Sequence, residues 1–101
     1  MPQLLDFIHQ HELQTKTVLD FGCGKGGTIR WLQGLYPNIT VKGWDIGTDE
    51  YRRRPRGIQF DAIYSIDCLE HIEQADLPDA IENLKRISGP GSAWCHIIDM
   101  T

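Results

Sequence analysis

Between Asp20 and Gly27 the chain places one carboxylate ahead of Gly22, Gly24, Gly26 and Gly27, with Cys23 and Lys25 interspersed. Glycines let a backbone bend sharply and let a ligand approach with no Cβ in the way. If a helix starts just after them, its first amides face that ligand with a favourable dipole. Gly22, Gly24 and Gly27 also satisfy G-x-G-x-x-G, the spacing that seats a dinucleotide pyrophosphate. Asp20 speaks against a pyrophosphate, because a carboxylate two residues before the first glycine would repel it. A ligand with a cationic amino group and a sulfonium would tolerate or welcome that charge. In a plainer reading Asp20 only caps the glycine loop through backbone amides.

Other candidates are spread along the chain. Asp45 closes a second apolar run, as a ligand carboxylate or as an exposed acid at a turn. Ser65, Ile66 and Asp67 end a third run, and His71 follows. Asp67 and His71 are the candidates for catalysis; a histidine there could act as a base, or could serve packing and orientation. Cys23, Cys68 and Cys95 are odd in number and have no metal-ligand spacing, so they read as reduced, half-buried side chains and no metal site is expected. Arg52, Arg53, Arg54 and Arg56 form a cluster, either a solvated linker or a contact for an acidic substrate or nucleic acid.

The elements that must position these residues alternate. Pro2 to Leu13 carries Leu4, Leu5 and Ile8, with Leu13, on one helical stripe. Thr17 to Phe21 suits a buried parallel strand. Ile29, Leu32 and Leu35 have helical spacing, with Trp31 nearby, and Pro37-Asn38 ends that helix. Ile39 to Trp44 reads as a second strand, and 46–59 as a loop without periodicity. Phe60 to Ile66 is a third strand, and Leu69 to Ile72 a short helix or turn. Leu77, Ile81, Leu84 and Ile87 mark an amphipathic helix that Gly89-Pro90-Gly91 ends, and Ala93 to Asp99 is a fourth strand. Alternating strands and helices predict an α/β fold with a parallel sheet, whose ligands sit beyond the carboxyl ends of the strands. The glycines and acids fall at those ends.

With 101 residues the chain suits one domain. Its 41% hydrophobic and 24% charged residues are ordinary for a soluble protein, and a net charge of -4 argues against general affinity for nucleic acid or anionic membranes. Neither a membrane-spanning run nor a secretory signal is visible, so a cytoplasmic location is expected.

Val18 to Gly26 resembles the first motif of class I S-adenosylmethionine-dependent methyltransferases, V-L-D-x-G-C-G-x-G. Three further stretches resemble that family in order and spacing: Trp44-Asp45-Ile46, Phe60 to Ser65 followed by Leu69-Glu70-His71-Ile72, and Leu84 to Gly91. The resemblance covers residues 15 to 99. It implies a three-layer Rossmann-like parallel sheet, shortened to about four strands in the order 2-1-4-5 by the family's strand labels, with flanking helices. It also implies S-adenosylmethionine as cofactor. By position, Asp20, Gly22, Cys23, Gly24 and Gly26 would line the methionine moiety, Asp45 with Ile46 would hold the ribose, and Ser65 would lie beside the methyl donor. A strand-end carboxylate such as Asp45 can accept two charge-assisted hydrogen bonds from a diol.

The chain departs from the family twice. Between Asp45 and Phe60 the family has a helix, a strand and an adenine-reading carboxylate; here ~14 residues intervene, which extended reach roughly 45–50 Å. The family also continues past the fourth strand, so a shortened domain, self-associating through an exposed last strand, is expected. The expected organisation is one partial methyltransferase domain over 1–101: helix 1–14, cofactor-binding half 15–45, loop 46–59 and second half 60–101. The function it implies is methyl transfer to an unidentified acceptor, a small molecule being favoured. Rival readings are a non-catalytic cofactor-binding relic, a nicotinamide-dinucleotide-binding domain, and an interaction module without a ligand.

Overall fold

The computed structural model describes residues 2–22, 25–45, 47, 49–66 and 77–97. Helix α1 (Pro2–Gln10) leads into β1 (Thr17–Phe21), α2 (Gly27–Leu35) and β2 (Thr40–Trp44). A single 3-10 turn (Asp49–Tyr51) interrupts the crossover to β3 (Phe60–Ile66), which is followed by α3 (Leu77–Ile87) and β4 (Ser88–Ile97). The four strands pair in parallel in the order β2-β1-β3-β4, the order expected from the sequence.

Strand alternation divides the core between two faces. Val18, Ala62 and Tyr64 face α1 and α2, where they pack with Leu4, Phe7, Ile8, Ile29 and Leu32. Leu19, Phe21, Trp44 and Ile63 lie in a second cluster with Leu84 and Ile87 of α3. Both central strands are apolar on both sides because both sides are covered. The expected stripe of α1 is present in Leu4 and Ile8, with Leu5 only partly buried.

Three expectations need correction. The first helix ends at Gln10, although Leu13 beyond it is buried. On α2, Leu35 is not a core residue but 48% exposed, and Trp31 is 38% exposed. The helix stops at Leu35, and extended backbone at Tyr36 (φ -124°) brings that ring onto the core instead. The last strand starts at Ser88 rather than Ala93. Phe60 pairs with Ser88 and Ala62 with Ala93, so residues 89–92 bulge opposite Asp61. Pro90 has no amide to offer the ladder, Gly91 takes φ +75°, and the Ser92 hydroxyl lies within hydrogen-bonding distance of the Phe60 and Gly89 carbonyls.

The crossover from β2 to β3 passes over β1, and among its described residues there is no α-helix. Ile58 packs against the α3-side cluster, and Arg54 Nη1 donates to Asn83 Oδ1 of α3 at 2.6 Å. Arg52, Arg53 and Arg56 are exposed, and Arg54 tethers the crossover to α3. Residues 69–72 lie outside the described residues. Among the described residues no helix is long and apolar enough to cross a membrane.

Leu84 is fully buried where α3 meets β3. Leu84→Ala should cost about 2–5 kcal/mol, the usual range for such a truncation. In a urea titration this appears as a lower midpoint at unchanged slope.

Candidate functional site at the carboxyl ends of β1 and β2

Asp20 is the last residue of β1 on the face packed by α1 and α2, and is only 3% exposed. It is directly opposite Tyr64 on β3, whose hydroxyl donates to Asp20 Oδ2 at 2.8 Å. Burial pushes the Asp20 carboxyl up from its ordinary 3.8 to about 6; the Tyr64 hydrogen bond opposes the rise and the nearby charge of Asp45 adds to it. Near neutral pH the group is mostly ionised but held at a disadvantage, which is the state a cationic ligand would relieve.

The chain then turns through Gly22 at φ +76°, whose amide donates to the Trp44 carbonyl at 2.7 Å. That bond ties the glycine turn to the end of β2. Gly26 has φ +81° and starts α2 with no side-chain cap, which leaves the first-turn amides without that kind of partner. A Cβ on Gly26 would lie 3.0 Å from Tyr51 Cε2 and Cζ. This glycine therefore answers both a left-handed backbone and a close approach.

Asp45 follows β2. Its Oδ1 accepts the Gly47 amide at 2.8 Å, and its own amide donates to the Tyr51 carbonyl at 2.7 Å. The Gly47 amide thus orients the side chain at the strand end, and an ionised carboxylate is an acceptor-only group with about four lone-pair sites. Asp45 lies close enough for its charge to raise the Asp20 pKa.

Residues 1–100 match the family described as "Methyltransferase domain".

The chain belongs to the methyltransferase-domain family.

Solved structures agree on the fold. The plantazolicin methyltransferase BpumL in complex with SAH superposes with a TM-score of 0.68 at 16% identity, covering 86% of this chain and 42% of that one. PKMT2 from Rickettsia typhi in complex with AdoHcy gives 0.64 at 20% identity, covering 92% of this chain and 24% of that one. A probable chloroplastic tocopherol O-methyltransferase of Oryza sativa subsp. japonica is 27% identical over 114 aligned positions, 84% of this chain and 31% of that protein. The chain spans less than half the length of each.

In this methyltransferase domain the structure brings together Asp20, Gly22, Gly26 and Asp45. Ser65 is also at a strand end and 1% exposed, but it pairs with Phe21 and so falls on the α3 face, opposite Asp20 and Tyr64. Cys23, Gly24, Ile46, Asp67 and His71 lie outside the described residues. Tyr51 and Tyr64 are site residues that sequence reading misses. Tyr64 is betrayed only by strand register, since 44 residues separate it from Asp20, and Tyr51 sits in a stretch with no periodic pattern. Cys95 is a free, half-buried thiol whose pKa burial raises.

Two outcomes follow for variants. A carboxyl group whose folded pKa lies above its unfolded one stabilises the fold fully only below pH 3.8 and loses that contribution as pH rises to about 6. The loss at pH 7 is about 3 kcal/mol. Asp20→Asn should therefore be more stable than the parent at pH 7, with the gap closing towards pH 4; denaturation midpoints across that range check it, and a gap independent of pH would refute it. Gly26→Ala should lose at least the ~1–2 kcal/mol of a left-handed alanine, with a further cost from displacing Tyr51, visible as a lowered thermal midpoint.

Proposed function

We propose that this domain binds S-adenosylmethionine and catalyses transfer of its methyl group to an acceptor, a small molecule in preference to nucleic acid. The observation that carries this reading is the buried Asp20 carboxylate, poised near neutrality beside the oriented Asp45 at a positive-φ glycine turn. These residues fit the cofactor's chemistry: an anion for its cationic amino acid end, a strand-end carboxylate for its diol, and glycines where its body must come close. They fit a dinucleotide poorly, because a pyrophosphate would face Asp20. Support also comes from the solved relatives described with SAH or AdoHcy.

When bound, the cofactor supplies an electrophilic methyl on a sulfonium. The chain's part is to fix that group beside the acceptor, and catalysis of this kind is largely positioning. A cytoplasmic setting goes with this reading, in keeping with the free Cys95 thiol. The second reading, a domain that binds cofactor without turnover, is favoured by one feature. Among the described residues a 3-10 turn is the one element between β2 and β3, where the sequence resemblance leads one to expect a helix and a strand.

Isothermal titration should find micromolar binding of S-adenosylhomocysteine and none of NAD. Asp45→Ala should weaken the former at least tenfold, as expected for lost charge-assisted hydrogen bonds. Equal binding of NAD, or no binding by the folded chain, would sink the proposal. Binding of S-adenosylmethionine between pH 5.5 and 7 should also release up to one proton, because a nearby cation lowers the Asp20 pKa; heats in buffers of different ionisation enthalpy measure it.

A further inference from the structure

We infer that Tyr51 is a positioning residue of the cofactor site, its carbonyl and ring holding the glycine turn after β1 and the carboxylate end of β2 in fixed relation. The inference rests on the cofactor reading above. Two contacts on different parts of one residue carry it. The Tyr51 carbonyl accepts the Asp45 amide at 2.7 Å, so the residue bearing the diol-binding carboxylate is anchored to the 3-10 turn. The Tyr51 ring packs on Gly26 so closely that no Cβ fits between them, so the same turn is anchored to the start of α2. The ring is half-buried and packs against the core cluster under α1 and α2.

The two arms of the cradle come from separate strands, and the bond between them at their base joins Gly22 to Trp44. Farther out, Tyr51 links Gly26 with Asp45 and closes a brace across the mouth of the site. The ion pair of the turn, Arg52 to Asp49 at 2.6 Å, is solvent-exposed, and such pairs contribute little. Without the ring, the segment after Asp45 regains conformational freedom, which ligand binding must then remove again. Tyr51 acts through Asp45 and Gly26, and the Cε2–Cζ edge of its ring against Gly26 is what it contributes.

The test is titration of S-adenosylhomocysteine into the parent chain and into Tyr51→Phe, Tyr51→Leu and Tyr51→Ala, well below each thermal midpoint. Tyr51→Phe keeps the ring and should bind within twofold of the parent. Tyr51→Ala should bind at least tenfold more weakly while its circular dichroism remains native. If Tyr51→Ala does not fold, Tyr51→Leu retains apolar bulk over the core without the flat ring and should show a loss of at least fivefold. Amide hydrogen exchange at Asp45 should quicken in the Ala or Leu variant and stay slow in Tyr51→Phe. A lowered midpoint with unchanged affinity in the folded Ala or Leu variant would make Tyr51 a packing residue only, and overturn the inference while leaving the cofactor reading intact. Equal losses in Phe and Ala would also overturn it, since the ring would then not be the part that matters. Failure of the parent chain itself to bind would remove the cofactor reading first.

Discussion

The hydrogen bond from the Tyr64 hydroxyl to Asp20 joins the two central strands at their carboxyl ends, beneath the helices that cover that face. It is the minimum that makes a buried carboxylate tolerable: one donor, fixed by strand register, against the loss of water around a charge. Burial still prevails, as the raised pKa shows. The arrangement therefore carries strain of an electrostatic kind, held by the hydrophobic clusters on either side. Remove the register between β1 and β3 and the phenol no longer meets the carboxylate. The position of everything beyond Asp20, the glycine turn included, then loses its reference point.

The two faces of the sheet contribute unequally to that geometry. Asp20 and Tyr64 belong to the face packed by α1 and α2, and there the core is continuous from Leu4 to Tyr64. On the other face α3 packs against the central strands, with Ile58 covering part of the cluster and Arg54 fastened to Asn83. Ser65 faces this second side. At the strand ends the Asp20 carboxylate and the Ser65 hydroxyl thus stand on opposite faces of the sheet.

Much of this was legible in the residues. Thr17 to Phe21 and Phe60 to Ile66 are compact apolar runs whose ends are fixed by glycines or by loss of pattern, and Leu77 to Ile87 has its period and its Pro78 in the first turn. The location of Asp20, Gly22, Gly26 and Asp45 at strand ends followed from the same runs. What stayed hidden depends on contacts remote in sequence. Tyr64 reads as one more β-forming aromatic until register sets it opposite Asp20. Leu35 fits a helical stripe, but the neighbouring Tyr36 reaches the core in its place. The start of β4 was obscured because Gly89-Pro90-Gly91 has the composition of a turn and here forms a bulge within a strand.

The crossover between β2 and β3 has a consequence for how such a domain can change. Its ends are secured independently, at Tyr51 on the cradle side and at Arg54 on α3, while Gly57 at φ +74° turns the chain back towards Phe60 with open space around its Cα. Lengthening a flexible segment is inexpensive, about 0.6 kcal/mol for each doubling. Extra residues near Gly57 would project from the amino end of β3, away from the strand ends that bear the carboxylates. The fold thus offers a graft point at which new surface can be acquired or discarded while the chemistry at the opposite rim stays as it is.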